Sequence, residues 1–246
     1  MSHFLSETNK TIVQIGDFDI LNGRVQVLGS GVILNWGTQS FVITAKHVIE
    51  KSKKPSIFVN SKFNNRSIFF NTTKDQWIFH RNGSVDLAGK PLQIRDNVDV
   101  RAIDEKDFEY FDDIQIGNDV FYLGFPFNLT PGERLVPVYR KGCIAQKFPN
   151  EFEISIGEYR KITFTEKQMI IDAHVSKGNS GCPVFTSPRF KSTRNGTSTG
   201  PYLIGIVRSH IESDIKGSYN LKEHSGLGEI YSTDIIVELL NQMIET

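Results

Sequence analysis

The run Lys177-Gly178-Asn179-Ser180-Gly181-Cys182-Pro183-Val184 places a serine between glycines. A serine hydroxyl is a weak nucleophile until a neighbouring base takes its proton. The anion formed when it attacks a carbonyl needs preorganised donors, commonly backbone N–H groups. Glycines beside a serine let the chain turn its own N–H groups toward the serine oxygen; here these are the N–H groups of Gly178 and Ser180. Alone, the run reads equally as an ordinary Gly-Asn-Ser-Gly turn. A base is available upstream, where Phe41-Val42-Ile43-Thr44-Ala45-Lys46-His47 carries an apolar strand into a histidine at its exit. A lone histidine in such a place is commonly structural. An acid to orient it has two candidates, Asp86 in Ser84-Val85-Asp86-Leu87-Ala88 and Asp99 in Asn97-Val98-Asp99-Val100-Arg101-Ala102. Either also reads as a loop carboxylate bonded to its own turn.

Taken together, the two motifs resemble the TAAHC-like and GDSGGP-like signatures of the trypsin (chymotrypsin-fold) serine protease family. The resemblance is to its bacterial branch, which includes HtrA-type and glutamyl endopeptidase-type enzymes. Leu123-Gly124-Phe125-Pro126 is similar to the glycine-aromatic-proline turn of that branch, and Trp77-Ile78-Phe79-His80 to the common prelude of its catalytic acid. The likeness spans roughly residues 25–210. It implies a serine endopeptidase with the triad His47, Asp86 and Ser180, an oxyanion hole from Gly178 and Ser180, and no cofactor or metal. Asp86 is preferred to Asp99 because Leu-Ala follows it and its distance from His47 suits one small barrel. The histidine–aspartate–serine order matches this class; an α/β-hydrolase runs serine, acid, histidine and needs a G-x-S-x-G elbow.

Two departures from the family pattern stand at Asn179, where an aspartate is common, and Cys182, where glycine is common. An amide at 179 cannot neutralise a buried ammonium, so the loop around Ser180 must be ordered in another way. For the primary substrate pocket the resemblance points to His174 near its base and to Val207, Arg208 and Ser209 on one wall. No aspartate stands at 174, so a preference for Lys or Arg is not expected. His174 and Arg208 could favour an acidic or amide side chain; equally, His174 is a core histidine and Arg208 points to solvent. A second reading of the whole chain is a peptide-binding or scaffold module on the same fold, with little or no activity, since fold does not imply function.

These residues must be held by strands. Apolar, β-branched or aromatic runs occur at Val25–Leu28, Val32–Trp36, Phe41–Thr44, Ser56–Val59, Ser67–Phe70 and Gln76–Phe79. A second set covers Asp119–Gly124, Lys141–Lys147, Gln168–Val175, Cys182–Thr186 and Tyr202–Val207. Turn signals, among them Gly29-Ser30-Gly31, separate them. The expected architecture is all-β: two six-stranded antiparallel β-barrels of the chymotrypsin type in a single peptidase domain over residues 1–246. The first barrel covers about 12–100, an acidic connection about 101–118, the second barrel about 119–231 and a C-terminal α-helix about 232–245. Ser232 suits its N-cap, and Ile235, Ile236, Leu239, Leu240 and Met243 recur at helical spacing. Residues 187–200 read as a polar surface loop, and His210 and His224 as surface residues.

The bulk composition narrows the function classes. The chain has 246 residues with 28 Lys+Arg against 28 Asp+Glu, a formal charge of zero. Nothing there attracts a polyanion, so nucleic acid is not an expected partner, whereas a peptide or protein substrate is. The Lys51–Lys54 segment, with three lysines, reads as a solvated loop. Two cysteines, Cys143 and Cys182, cannot make a disulfide framework or a metal pattern and read as buried thiols. The start, MSHFLSETNKTIVQIG, lacks the features of a signal peptide, and no apolar stretch is long enough to span a membrane. A cytoplasmic chain with no membrane partner is expected; the oligomeric state is not legible.

Overall fold

The β-branched and aromatic runs become strands, and their pairing sorts them into two sheets. The structure, a computed structural model, describes residues 2–19, 22–64, 66–128, 133–156, 160–193, 196–215 and 221–245. The N-terminal half holds β1 (Ile12–Asp19), β2 (Arg24–Trp36), β3 (Gln39–Ala45), β4 (Pro55–Asn60), β5 (Ser67–Asn71), β6 (Ile78–Phe79) and β7 (Leu87–Pro91). They form one antiparallel sheet ordered β5-β4-β1-β2-β3-β7-β6. It differs from the closed six-stranded barrel expected. β6 meets β7 at only two positions, Ile78↔Gly89 and Phe79↔Ala88, so the sheet ends there. At the opposite edge the Ser67 N–H donates to the Glu133 carbonyl, so an irregular segment covers β5.

The C-terminal half does close. β8 (Asp119–Gly124), β9 (Val138–Phe148), β12 (Gln168–Asp172), β13 (Pro183–Thr186), β16 (Leu203–Ile215) and β17 (Leu221–Ser232) form a six-stranded barrel in the order β12-β17-β16-β13-β8-β9. Two hairpins stand apart from it: β10 (Phe152–Ile156) with β11 (Arg160–Phe164), and β14 (Arg189–Thr193) with β15 (Gly196–Gly200). The second hairpin replaces much of the expected loop over 187–200, because Phe190 and alternating Ser and Thr residues suit a ladder; residues 194–195 lie outside those described, as does the side chain of His224. The connection between the halves contains two short 3-10 turns, Glu105–Asp107 and Phe111–Asp113.

Among the described residues three α-helices complete the fold: α1 (Ser2–Asn9), α2 (Lys46–Lys51) and α3 (Thr233–Ile244). Ser232 stands at the N-cap of α3, but its side chain makes no capping bond. Asp234 in the first turn accepts the Phe111 N–H at 2.8 Å and meets Lys167 at 3.2 Å, tying the helix to the connection and to the turn before β12. None of these helices is long and apolar enough to cross a membrane.

Each half has its own interior, Val13, Ile33 and Val42 in the first and Val184, Val207 and Ile230 in the second. The largest cluster lies between them. It joins Val32, Phe41 and Ile43 to Leu123, Phe125, Ile206 and Tyr231, and is sealed by Ile235, Ile236, Leu239, Leu240 and Met243 of α3. The C-terminal helix therefore cements a seam rather than capping one sheet. Leu239 is fully buried there. Leu239→Ala is expected to lower the unfolding free energy by about 2–5 kcal/mol, measured by urea titration; the exposed-face change Glu245→Ala is the control, with a loss within about 0.5 kcal/mol.

Candidate active site

The β3–β7 ladder sets the first contact. Ala45 pairs with Leu87, so the residues just past that rung, His47 at the start of α2 and Asp86 ahead of β7, lie side by side. The Lys46 N–H donates to the Asp86 carbonyl at 3.1 Å and the His47 N–H to Asp86 Oδ1 at 2.8 Å. With its backbone fixed twice, the imidazole places Nδ1 2.6 Å from Asp86 Oδ2 and Nε2 3.0 Å from Ser180 Oγ. A carboxylate only accepts, so Nδ1 carries the proton and the Nε2 lone pair faces the serine hydroxyl. Asp86 is held from the other half as well: its N–H donates to the Tyr231 hydroxyl oxygen at 3.0 Å. Burial pushes the Tyr231 phenol up to about 12, so it stays neutral beside the carboxylate.

The Ser180 loop is fixed from three sides. Ser30, fully buried on β2, donates its N–H to the Ser180 carbonyl at 2.8 Å and its Oγ to the Gly178 carbonyl at 2.8 Å. The same Oγ accepts the Phe125 N–H at 3.0 Å, and the Ser30 carbonyl accepts the Thr44 hydroxyl at 2.6 Å. From the barrel, Gly181 N–H donates to the Val207 carbonyl at 2.8 Å and Val207 N–H to the Cys182 carbonyl at 2.9 Å. The Phe127 N–H donates to the Lys177 carbonyl at 3.1 Å, with Phe127 held at φ 52°. This bond orients the peptide plane whose N–H belongs to Gly178. Non-glycine residues rarely adopt such a φ without a compensating contact. Among the described residues, the N–H groups of Gly178 and Ser180 find no acceptor. The loop thus presents two fixed, uncommitted donors beside a serine that faces a histidine.

A cleft of about 1070 Å³ opens over this group. Of the residues expected in the substrate pocket, Arg208 and Ser209 line it. Val207 is fully buried, with its side chain in the barrel interior; His174 is exposed and is not among the lining residues. Arg208 donates to Glu229 at 2.9 Å and lies over the Tyr231 ring at 5.8 Å, so its charge is balanced by a buried carboxylate and its plane shields the phenol behind Asp86. Asp99 stands apart from His47: its carboxylate meets Arg134 at 2.9 Å and Lys10 at 3.7 Å. The Cys182 thiol is wholly buried, and burial pushes it up to about 12, so it is inert packing beneath the loop. Among the described residues no group of three or more His, Cys, Asp or Glu side chains could hold a metal ion.

The chain belongs to the trypsin-like peptidase domain family, whose sequence model matches residues 29–189. A search of curated proteins finds no match. Solved structures share the fold. The protease domain of MamO from Magnetospirillum magneticum is 19% identical, with a TM-score of 0.58 over 95% of this chain and 97% of that one. The HtrA-type protease AlgW, solved with a tripeptide, is 17% identical with a TM-score of 0.62 over 99% of this chain. A serine endoprotease from Yersinia pestis is 18% identical with a TM-score of 0.59 over 99%. The chain spans 63% of the AlgW chain and 66% of the Yersinia pestis chain. The likeness shows an all-β chymotrypsin-like fold, here with one closed six-stranded barrel and a C-terminal helix.

Ser30 and Tyr231 had no sequence signal of their own. Gly29-Ser30-Gly31 resembles turn punctuation, and Tyr231 an unremarkable strand residue. Removing the Ser30 hydroxyl leaves the Gly178 carbonyl and the Phe125 N–H without their partner in a buried site. Ser30→Ala is therefore expected to cost about 1–3 kcal/mol of stability, read from urea unfolding. A loss below about 0.5 kcal/mol would show that the loop is held without it.

Proposed function

We propose that this chain is a serine endopeptidase that hydrolyses peptide bonds in peptide or protein substrates through an acyl-enzyme, with His47, Asp86 and Ser180 as its triad. The observation that carries the reading is the unbroken contact Asp86–His47–Ser180, at 2.6 and 3.0 Å, beside two uncommitted N–H donors. His47 takes the Ser180 proton as Oγ attacks the substrate carbonyl. The carbonyl oxygen becomes an anion and is received by the N–H groups of Gly178 and Ser180. Asp86 holds His47 in the Nδ1–H tautomer and stabilises the cation that forms. His47 then delivers its proton to the leaving amine, and a water molecule, deprotonated in the same way, releases the acyl group. The chemistry needs no cofactor, and both halves work as one peptidase domain.

Preorganisation supports the reading. The donors cost no reorganisation at the moment of reaction because Ser30, Val207 and Phe127 already hold the loop. A module that merely captured peptides would not need a hydroxyl aimed at an imidazole and a second carboxylate–imidazole bond behind it.

A fluorophosphonate probe is expected to label Ser180 in the unmodified chain, and Ser180→Ala to abolish labelling. Peptide hydrolysis should fall by about 10⁴ or more in Ser180→Ala and by a comparable amount in His47→Ala. Absence of labelling in the unmodified chain would favour the scaffold reading instead.

The two aspartates separate by the same assay. Asp86→Asn is expected to keep the fold and lower turnover by about 10⁴ through the wrong imidazole tautomer. Asp99→Asn removes two partly exposed ion pairs, with Arg134 and Lys10, that lie apart from His47, and should change turnover little. A loss confined to Asp99→Asn would overturn the assignment.

A further inference from the structure

The lysine run at 51–54 is more than a solvated loop. Lys51 ends α2 and stands one helical turn beyond His47, on the same face of that helix, where it lines the cleft. Arg24, the first residue of β2, and Lys177, at the entry to the Ser180 loop, line it too. Among the described residues none of these three side chains has an ion-pair or hydrogen-bond partner. The neighbouring charges are committed. Arg208 is matched by Glu229, and Asp86 by His47. Glu50 pairs with Lys46 at 3.6 Å. Asp17 takes the N–H groups of Lys53 and Lys54 at 2.9 and 3.1 Å. Asp19 is bonded by Asn22 and, standing opposite Arg24 in the β1–β2 ladder, offsets part of that cation. Lys51 has no such counter-charge paired with it among the described residues.

The chemistry gives this charge a direction. The proton held by His47 goes to the leaving amine, so the segment leaving with that amine crosses the His47 side, along α2 and the start of β2. Lys51 lies about 6 Å farther along the helix axis than His47. An extended peptide advances about 3.3 Å per residue, and the lysine arm adds reach. By that spacing, the second and third residues after the scissile bond would fall within reach of the Lys51 side chain. We infer that the enzyme selects substrates with Asp or Glu at the second or third residue after the cleaved bond, with Lys51 as the specificity residue and Arg24 in support. The inference rests on the peptidase reading above. It concerns an otherwise neutral chain, so the selection comes from local charge and not from bulk attraction.

The test is digestion of a proteome-derived peptide library at low ionic strength, with cleavage sites mapped by mass spectrometry. Asp and Glu should exceed Lys and Arg about fivefold at those two positions, the ratio expected when an exposed ion pair replaces an exposed repulsion. Lys51→Glu should invert the ratio, and about 0.5 M salt should flatten it in the unmodified chain. Cleavage with equal frequencies of acids and bases there would overturn the inference and leave the peptidase reading standing. A chain that neither cleaves the library nor reacts with the fluorophosphonate probe would overturn both. Enrichment that persists unchanged in Lys51→Glu would remove Lys51 from the role.

Discussion

Four hydrogen bonds meet at Ser30, and the candidate site depends on them. Two of its partners, the Gly178 and Ser180 carbonyls, flank the two uncommitted N–H donors of the loop; a third, the Phe125 N–H, belongs to the strand-exit turn beneath them; the fourth is Thr44, three residues before His47. One fully buried residue on the first sheet thus sets the direction of peptide planes on the second barrel and the height of the strand that delivers the histidine. Buried bonds of this kind are costly to lose, because water cannot replace them. The clamp also accounts for a loop that is ordered although Asn179 carries no charge: the order comes from neutral hydrogen bonds across the seam.

The same seam explains why two halves are required. His47 and Asp86 stand just past the last rung of the β3–β7 ladder, whereas Ser180 and Tyr231 come from the C-terminal half. Sub-ångström agreement between them is only as good as the docking of one sheet on the other. That docking is an apolar cluster shared by both sheets and closed by α3. The helix reaches farther still: Gln242 accepts the Arg81 N–H at 2.8 Å and donates to the Phe79 carbonyl at 3.0 Å, gripping the loop that leads to Asp86. Packing energy spent far from Ser180 is what keeps the 2.6 and 3.0 Å contacts in register.

Local chemistry was legible in the sequence where it was carried by a motif. His47, Asp86 and Ser180 each sit in a short run of distinctive neighbours, and the structure brings the three together. The C-terminal helix was legible from its spacing, and so were most central strands. What could not be read were contacts whose meaning depends on the partner. Gly29-Ser30-Gly31 looks like a turn between two strands, yet β2 runs unbroken through it. A Cβ at Gly29 would lie 2.5 Å from Val48 Cγ2 and 2.9 Å from the Ser180 carbonyl oxygen, so that glycine serves close approach rather than a turn. Closure of the first sheet was over-read, because a two-residue β6 has no periodicity to betray its length. The β10–β11 hairpin and α1 were missed, since both carry weak patterns. His174 and Val207 were placed by alignment with a family pocket, but side-chain direction in a strand alternates, and burial of Val207 follows from its parity.

On the proposed peptidase reading, charge is distributed unevenly about the scissile position. On the side of the substrate's acyl half, Arg208 is the one fixed cation on β16, and Glu229 cancels it at 2.9 Å while Tyr231 occupies its face. Its value there is structural: an uncharged arginine substitute would leave a carboxylate buried alone, which costs more than the pair gains. On the side of the leaving half, Lys51 has no ion-pair partner among the described residues, and Asp19 opposite Arg24 offsets only part of that cation. On the proposed peptidase reading, a field of this shape does not touch the acyl-transfer step, which belongs to the two loop donors. It acts on which peptide arrives and in which direction it lies. Because a peptide chain has polarity, a neutral acyl end and a cationic leaving end favour one orientation of an acidic segment over its reverse. Orientation is the requirement that the proposed triad could not enforce for itself, since in that mechanism His47 returns its proton productively only to an amine lying on its own side.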